Sequence, residues 1–311
     1  MHLLIPFAGL SSDAGREAMR HLALPNLARL LSRLTQTEAD AADETSLTPP
    51  HERVLGRLLG WHAEDGCWPW AAFHATSDAI DTEDLAWGEL TPVHVHVGTD
   101  QLTLMDPAAL ELQPEESRAA FEAVRELFES AGWRFAWGGA TRWYAAHPSL
   151  SGLPTASLDR AVGRDVEVFM PRGTAARPVR ALQNEVQMLL YQWPGNDERS
   201  ARGALPINSF WISGCGVRQP AAALPDLTVA EHLRLPALSG DWPAWVDAWH
   251  VLDGREVVEC LARLDDGDVP VALTLCGERE ARTFTARPLG LAEKLKRRFS
   301  RVDPVAILGQ L

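Results

Sequence analysis

Lysine is almost missing from this chain: Lys294 and Lys296 are the only two among 29 Lys and Arg residues. Arginine carries nearly all the positive charge, and with the many alanines this reads as a coding-composition bias, so a single arginine has little functional weight. Positive charge is short overall, with a net charge of −13. That balance excludes a protein that tracks a nucleic-acid backbone, which must neutralise phosphates with Lys and Arg. No apolar run approaches the roughly 20 residues of a membrane-spanning helix. The opening "MHLLIPFAGLSSD" has no basic stretch before its apolar part, which Pro6 and Gly9 interrupt. The expectation is therefore no secretory signal, no membrane association and a cytoplasmic location. The four cysteines, Cys67, Cys215, Cys260 and Cys276, form no C-x-x-C pair and are too scattered for a zinc site or a disulfide framework. One basic island exists, "EKLKRRFSR", where Leu291, Leu295, Phe299 and Val302 recur at helical spacing. A solvated helix face is the expected reading there, over a membrane or RNA contact.

What is present is an ordinary globular composition, 46% hydrophobic and 23% charged, with twelve tryptophans. Those at 61–70 and 242–249 suit a core or an interaction surface. "HLLIPFAGL" reads as a buried strand and loop, and "LPNLARLLSRL" as a helix with Leu27, Leu30, Leu31 and Leu34 on one face. "TEADAADETSLTPP" is expected to be an exposed loop, and "HERVLGRLLG" a helix ending at Gly60. "TPVHVHVGTDQLTLMD" alternates like two strands around a turn at Gly98-Thr99-Asp100. A helix over "QPEESRAAFEAVRELFESAG" and strands "WRFAW" and "RWYAA" follow. The helix "RALQNEVQMLLYQW" has Leu182, Val186, Leu189 and Trp193 on one side, and Asn184, Gln187 and Tyr191 on the other. "GNDERSARG" is read as a turn, "LPINSFWIS" as a strand, "WPAWVDAWHVL" and "EVVECLARL" as helices, and "VPVALTLCG" as a buried strand. The fold class is mixed α/β, with a core over 1–89 and 176–311 and an inserted α+β subdomain over 90–175.

Three constellations could carry chemistry. In "SFWISGCG" the strand runs into a glycine turn at Ser213-Gly214-Cys215-Gly216. The order matches neither the G-x-S-x-G nucleophile elbow nor a P-loop. A ligand-lining turn at the carboxyl edge of a sheet and a plain tight turn both fit. His94 and His96 form an H-x-H that could chelate a divalent metal, with Asp100 or Asp106 as further ligands, or could simply face solvent. "LPTASLDRAVGRDVEVF" gathers Asp159, Arg160, Arg164 and Asp165, either a phosphate-holding loop or Asp–Arg pairing around a turn.

The stretch "LQNEVQMLLYQWPGNDERSARGALPINSFWISGCG" resembles a segment of the archaeal-type cofactor-independent phosphoglycerate mutases of the alkaline-phosphatase superfamily. There a helix leads into an HPVN-x-x-R turn, an arginine-rich step, and a strand with an Asn before a Gly-x-Gly turn. Pro194, Asn196, Arg199, Gly203, Pro206, Asn208, Gly214 and Gly216 stand in those places. "LPNLARL", the 91–106 stretch and "TRWYAAHPSLSGLPTASLDRAVGRDV" are weaker echoes, and the whole chain is similar to the bacterial RpfE-type regulatory proteins of that group. The resemblance implies an alkaline-phosphatase-like core with an inserted subdomain. Candidate ligand-binding residues are Asn196, Arg202, Asn208, Ser209, Ser213 and Gly214, with Asp159 and Arg160 from the insertion.

The departures shape the expected function. Mutases of the superfamily hold two divalent metals with several Asp and His side chains and use a Ser or Thr as phosphoryl acceptor. Here the first strand ends "PFAGL" with nothing acidic before Asp13. No "GSDTA"-like segment lies between residues 50 and 90, and the Asp-x-x-x-His and Gly-His motifs are missing; His232 and His250 stand in helical contexts. Without those ligands the developing phosphoryl charge is not neutralised. The expectation is a pseudoenzyme: a regulatory protein with no cofactor that binds a small phosphorylated ligand or a protein partner. The alternative is a phosphoryl-transfer enzyme with a rebuilt Mn or Zn site at His94 and His96.

Overall fold

A computed structural model of the chain describes residues 1–267, 270–286 and 302–311. The helical reading over Leu291, Leu295 and Phe299 lies outside them. The architecture is mixed α/β and divides into two compact units, one of residues 1–44, 49–59 and 222–311, the other of 45–48 and 60–221. Among the described residues no helix is long and apolar enough to cross a membrane.

The first unit is built on strands β1 (His2–Ile5), β2 (Leu34–Ala41), β9 (Leu227–Val229), β10 (Ala272–Cys276) and β11 (Glu280–Ala286), ordered β2-β11-β10-β1-β9. β1 is an interior strand, parallel to both neighbours β10 and β9, which explains its unbroken apolar run: Leu3, Leu4 and Ile5 are fully buried. Helices Pro25–Arg33, Trp242–Gly254 and Glu256–Asp266 bring Leu27, Leu30, Trp245, Trp249 and Leu252 into one core with Leu3, Ile5, Leu273 and Leu275. The acidic stretch expected to be a loop begins instead as β2, an edge strand antiparallel to β11. Charged side chains suit an edge, where they discourage pairing with another chain.

The helix Pro25–Arg33 starts without a side-chain cap of its own. Asp253, from the helix Trp242–Gly254, supplies it: its carboxylate accepts from Leu27 N at 2.7 Å, Asn26 N at 3.2 Å and Asn26 Nδ2 at 3.1 Å, and it is 4% exposed. A buried carboxylate is thereby held by two backbone donors that the helix start would otherwise leave open, and by the Asn26 side-chain amide.

The second unit holds a four-stranded sheet ordered β6-β7-β3-β8, from β3 (Ala86–Val93), β6 (Arg134–Gly139), β7 (Arg142–Ala146) and β8 (Ser209–Val217), and a ribbon of β4 (Val95–Val97) and β5 (Leu102–Leu104). One face packs against the helices Pro114–Ser130 and Arg177–Tyr191 through Phe121, Val124, Phe128, Trp143, Val186 and Phe210. The other carries Trp87, Tyr144 and Ala146 under the alanines of helix Trp70–Ser77. This unit reaches beyond the expected 90–175 at both ends because β3 pairs with β7 on one side and β8 on the other. The strands at 86–93 and 209–217 therefore belong to the same sheet as the hairpin at 134–146, not to a separate core. Trp61, Trp68, Trp70, Trp245 and Trp249 are buried and fill core volume, while Trp242 is half-buried and packs against the edge of the first unit's core.

Replacing Asp253 should test the cross-helix cap. Asp253→Ala is expected to cost about 2–3 kcal/mol in urea unfolding, the usual penalty for leaving buried donors unmet, while an exposed control, Asp13→Ala, should move the midpoint little.

Candidate functional site

The glycine segment is not a turn. β8 runs through it to Val217, and Trp87 pairs with Gly216 while Glu89 pairs with Ser213. Gly88 alone thus faces Gly214 and Cys215, which is a bulge in the ladder. Gly214 sits at φ 64°, the left-handed region, and a Cβ there would come within 2.8 Å of Ala71 N and 3.0 Å of Trp70 Cβ. The space is filled by the start of helix Trp70–Ser77. Cys215 is fully buried, burial pushes its thiol up to about 12, and its backbone N–H reaches Thr155 Oγ1 at 3.4 Å. It is an inert packing thiol.

"GNDERSARG", expected to turn the chain, is mostly helical: Pro194–Ala201 begins with Pro194 at a position that tolerates it and has Asp197 in its first turn. Asn196 is buried and spends its side chain on the protein. Nδ2 donates to Leu190 O at 2.8 Å and Ile207 O at 2.7 Å, and Oδ1 accepts from Ile207 N at 2.8 Å. Arg199, 1% exposed, donates from Nε to Leu205 O at 2.8 Å, from Nη1 to Glu116 Oε2 at 2.9 Å, and from Nη2 to Leu110 O. Arg202 pairs with the other oxygen of Glu116. Burial raises the Glu116 carboxyl, but hydrogen bonds from Arg202 and Gln113 N, with the charge of Arg199, outweigh it and hold the group below the ordinary glutamate value.

Asn208 carries the sheet past its break at His94. Its side chain accepts from Val95 N at 2.8 Å and donates to Val95 O at 2.9 Å, imitating a backbone pair. His94 lies between β3 and β4 with Nδ1 at 2.9 Å from Pro206 O; a carbonyl only accepts, so Nδ1 carries the proton. His96 is exposed on β4. Ser209 is buried and receives the side-chain amides of Gln183 at 3.3 Å and Gln187 at 3.1 Å. Asp159 and Arg160 lie on a short helix, Leu158–Ala161; Arg160 is buried, donates to Ser46 O at 2.8 Å and sits over the Phe169 ring. The eight candidates therefore do not converge. Asn196 and Asn208 flank one cleft, Ser213 and Gly214 lie further along β8, and the arginines are held by carbonyls and Glu116.

That cleft, about 490 Å³, is lined by Val95, Val97 and Leu102 of the ribbon, Gln187, Leu190 and Tyr191 of one helix, Asn196, Asp197 and Ser200 of the next, and Pro206 and Asn208 before β8. One sign of it is legible from residue pattern alone: Gln187 and Tyr191 stand on the polar side of an amphipathic helix. Asp197, Ser200 and the valines of the ribbon carried none. A second polar group was also missed. Tyr144 OH donates to Asp78 Oδ2 at 2.7 Å, Arg142 binds the same carboxylate at 2.9 and 3.1 Å, and His74 Nδ1 lies 2.7 Å from Glu89 Oε2. Burial above all, then Asp78 and Glu89, pushes the Tyr144 phenol far up, so it stays a donor. For Asp78 burial acts upward, yet the bonds from Arg142 and Tyr144 keep its carboxyl low. Residues spread along the sequence meet here because Glu89 and Tyr144 are cross-strand partners under helix Trp70–Ser77.

No family model matches the chain, and no curated protein matches it. Among solved structures it is similar to a cofactor-independent phosphoglycerate mutase from Thermoplasma acidophilum, at 15% identity over 91% of this chain and 89% of that one, with a TM-score of 0.38. It is also similar to the PH0037 protein from Pyrococcus horikoshii, at 13% identity over 95% of this chain and 92% of that one, with a TM-score of 0.49.

Gly214→Ala separates a packed bulge from an open ligand turn. It is expected to destabilise the fold by at least about 2 kcal/mol, from the left-handed backbone and the contact with Ala71 N. Near-unchanged thermal stability would mean that the bulge is loose enough to host a ligand.

Proposed function

We propose that this chain is a non-catalytic regulatory protein of the cytoplasm that binds a small ligand in the cleft of its second unit. One observation carries the reading: four polar side chains that could have met a phosphate, Asn196, Ser209, Arg199 and Arg202, are spent on the fold, while a cavity of ligand size opens beside them. Asn196 and Ser209 are consumed by backbone and amide partners, and Arg199 and Arg202 by Glu116 and carbonyls. The first unit supports the same conclusion. Just past β1, Ala8 is fully buried, Phe7 O accepts from Trp245 Nε1 at 3.0 Å, and a Cβ on Gly9 would lie 2.2 Å from Leu308 O. Packing occupies the end of that strand.

The sequence resemblance adds a scaffold to this reading: a phosphoglycerate mutase-like, RpfE-type chain with an alkaline-phosphatase-like core and no two-metal centre. The ligand class shifts from the phosphorylated compound that the resemblance suggests. Among the described residues lining the cleft there is no Lys, Arg or His to meet a phosphate.

The competing reading is a metal-dependent phosphoryl-transfer enzyme rebuilt at His94 and His96. His94 keeps Nε2 as a lone-pair donor, since Nδ1 is protonated toward Pro206 O. Metal analysis of protein purified without chelator, paired with thermal-shift titration by 3-phosphoglycerate, decides between them. We expect substoichiometric Mn and Zn and no stabilisation by the phosphate ester. Stoichiometric metal that is lost in the His94→Ala, His96→Ala double variant would establish the enzyme instead.

A further inference from the structure

The chemistry of the cleft names its ligand more closely, on the premise that the cleft is the binding site. Five of its lining side chains are apolar: Val95, Val97, Leu102, Leu190 and Pro206. The polar remainder is neutral except for Asp197. That carboxylate is exposed, makes no ion pair or side-chain hydrogen bond among the described residues, and has no basic residue beside it in the lining. Arg199 and Arg202, its neighbours along the helix, are already engaged by Glu116. Ser200 adds a hydroxyl, and Gln187, whose amide nitrogen is turned to Ser209, has its carbonyl oxygen left to accept. Val97 and Tyr191 flank the opening at 74% and 87% exposure, more apolar surface than such side chains usually leave in water.

We infer that the cleft takes a small amphipathic cation, a primary amine carried on an apolar body. The body lies against the ribbon valines, Leu102 and Leu190, and the ammonium meets Asp197 with Ser200 and Gln187 as acceptors. An anion of the same shape would lose its hydration and gain a like charge. The chain's net charge of −13 acts in the same direction, raising the local concentration of cations over anions. The volume of about 490 Å³ falls within the usual span for small-molecule sites and exceeds what a bare metal ion requires.

The test uses three probes of one skeleton, 4-phenylbutylamine, 4-phenylbutanol and 4-phenylbutyrate, titrated calorimetrically into the full chain. The amine should bind one per chain, about tenfold more tightly than the carboxylate. Asp197→Asn, at an exposed position where folding is not at stake, should weaken the amine by about fivefold and leave the alcohol unchanged. Val97→Arg should weaken all three by blocking the opening. If the carboxylate binds as well as the amine, or Asp197→Asn leaves the amine unaffected while Val97→Arg abolishes binding, the cation is wrong and the cleft stands. If no probe binds, or binding is indifferent to both variants, the cleft itself is refuted as the site.

Discussion

A charged guanidinium with 1% of its side chain exposed survives in a protein interior only if its donors are met, and Arg199 is such a group. Its partners come from three places: Leu205 O ahead of β8, Leu110 O at the end of a short helical turn, and Glu116 in the first turn of helix Pro114–Ser130. One side chain thereby fixes the strand approach, the turn and the helix start relative to one another. Asn196 does the same for the link between Leu190 and Ile207. The cleft walls are consequences of these two clamps, because Pro206, Asn208 and the end of helix Arg177–Tyr191 stand where Arg199 and Asn196 hold them.

That arrangement gives the residue pattern along 194–214 a physical meaning of its own. Pro194, Asn196, Arg199, Asn208 and Gly214 each have an identifiable task in the folded chain: starting a helix, closing a loop, pinning a turn, extending a ladder across a break, and letting a helix approach a strand. None of those tasks needs a bound phosphate.

The long elements were legible because their patterns are local. The helix Pro114–Ser130 has its proline, two glutamates and apolar stripe within one stretch, and the β4–β5 and β6–β7 hairpins show alternation around a turn. Three features were not, for the same reason: each is settled by a distant partner. β2 reads as an acidic loop until β11 pairs with it. Ser213-Gly214-Cys215-Gly216 reads as a turn until β3 is laid alongside and helix Trp70–Ser77 is packed on Gly214. The division into units follows strand pairings made across more than a hundred residues, which composition along the chain does not register. The candidate site was half visible. Asn196 and Asn208, candidates from the sequence, border the cleft, but Asp197, the charge that gives the cleft its sign, lies in a stretch that reads as a turn until Pro194–Ala201 is seen as a helix.

The most direct measurement of the central claim, that the Arg199 cluster serves the fold, is the unfolding free energy of the protein and of Glu116→Gln across the acid range. A carboxyl held below its ordinary value contributes stability in full above the unfolded-state value of 4.5 and loses it as pH falls through its depressed folded value. The account predicts that Glu116→Gln is less stable by about 3 kcal/mol at neutral pH, and that the gap closes as acid protonates Glu116. A variant as stable as the parent at neutral pH, or a gap indifferent to acid, would contradict it.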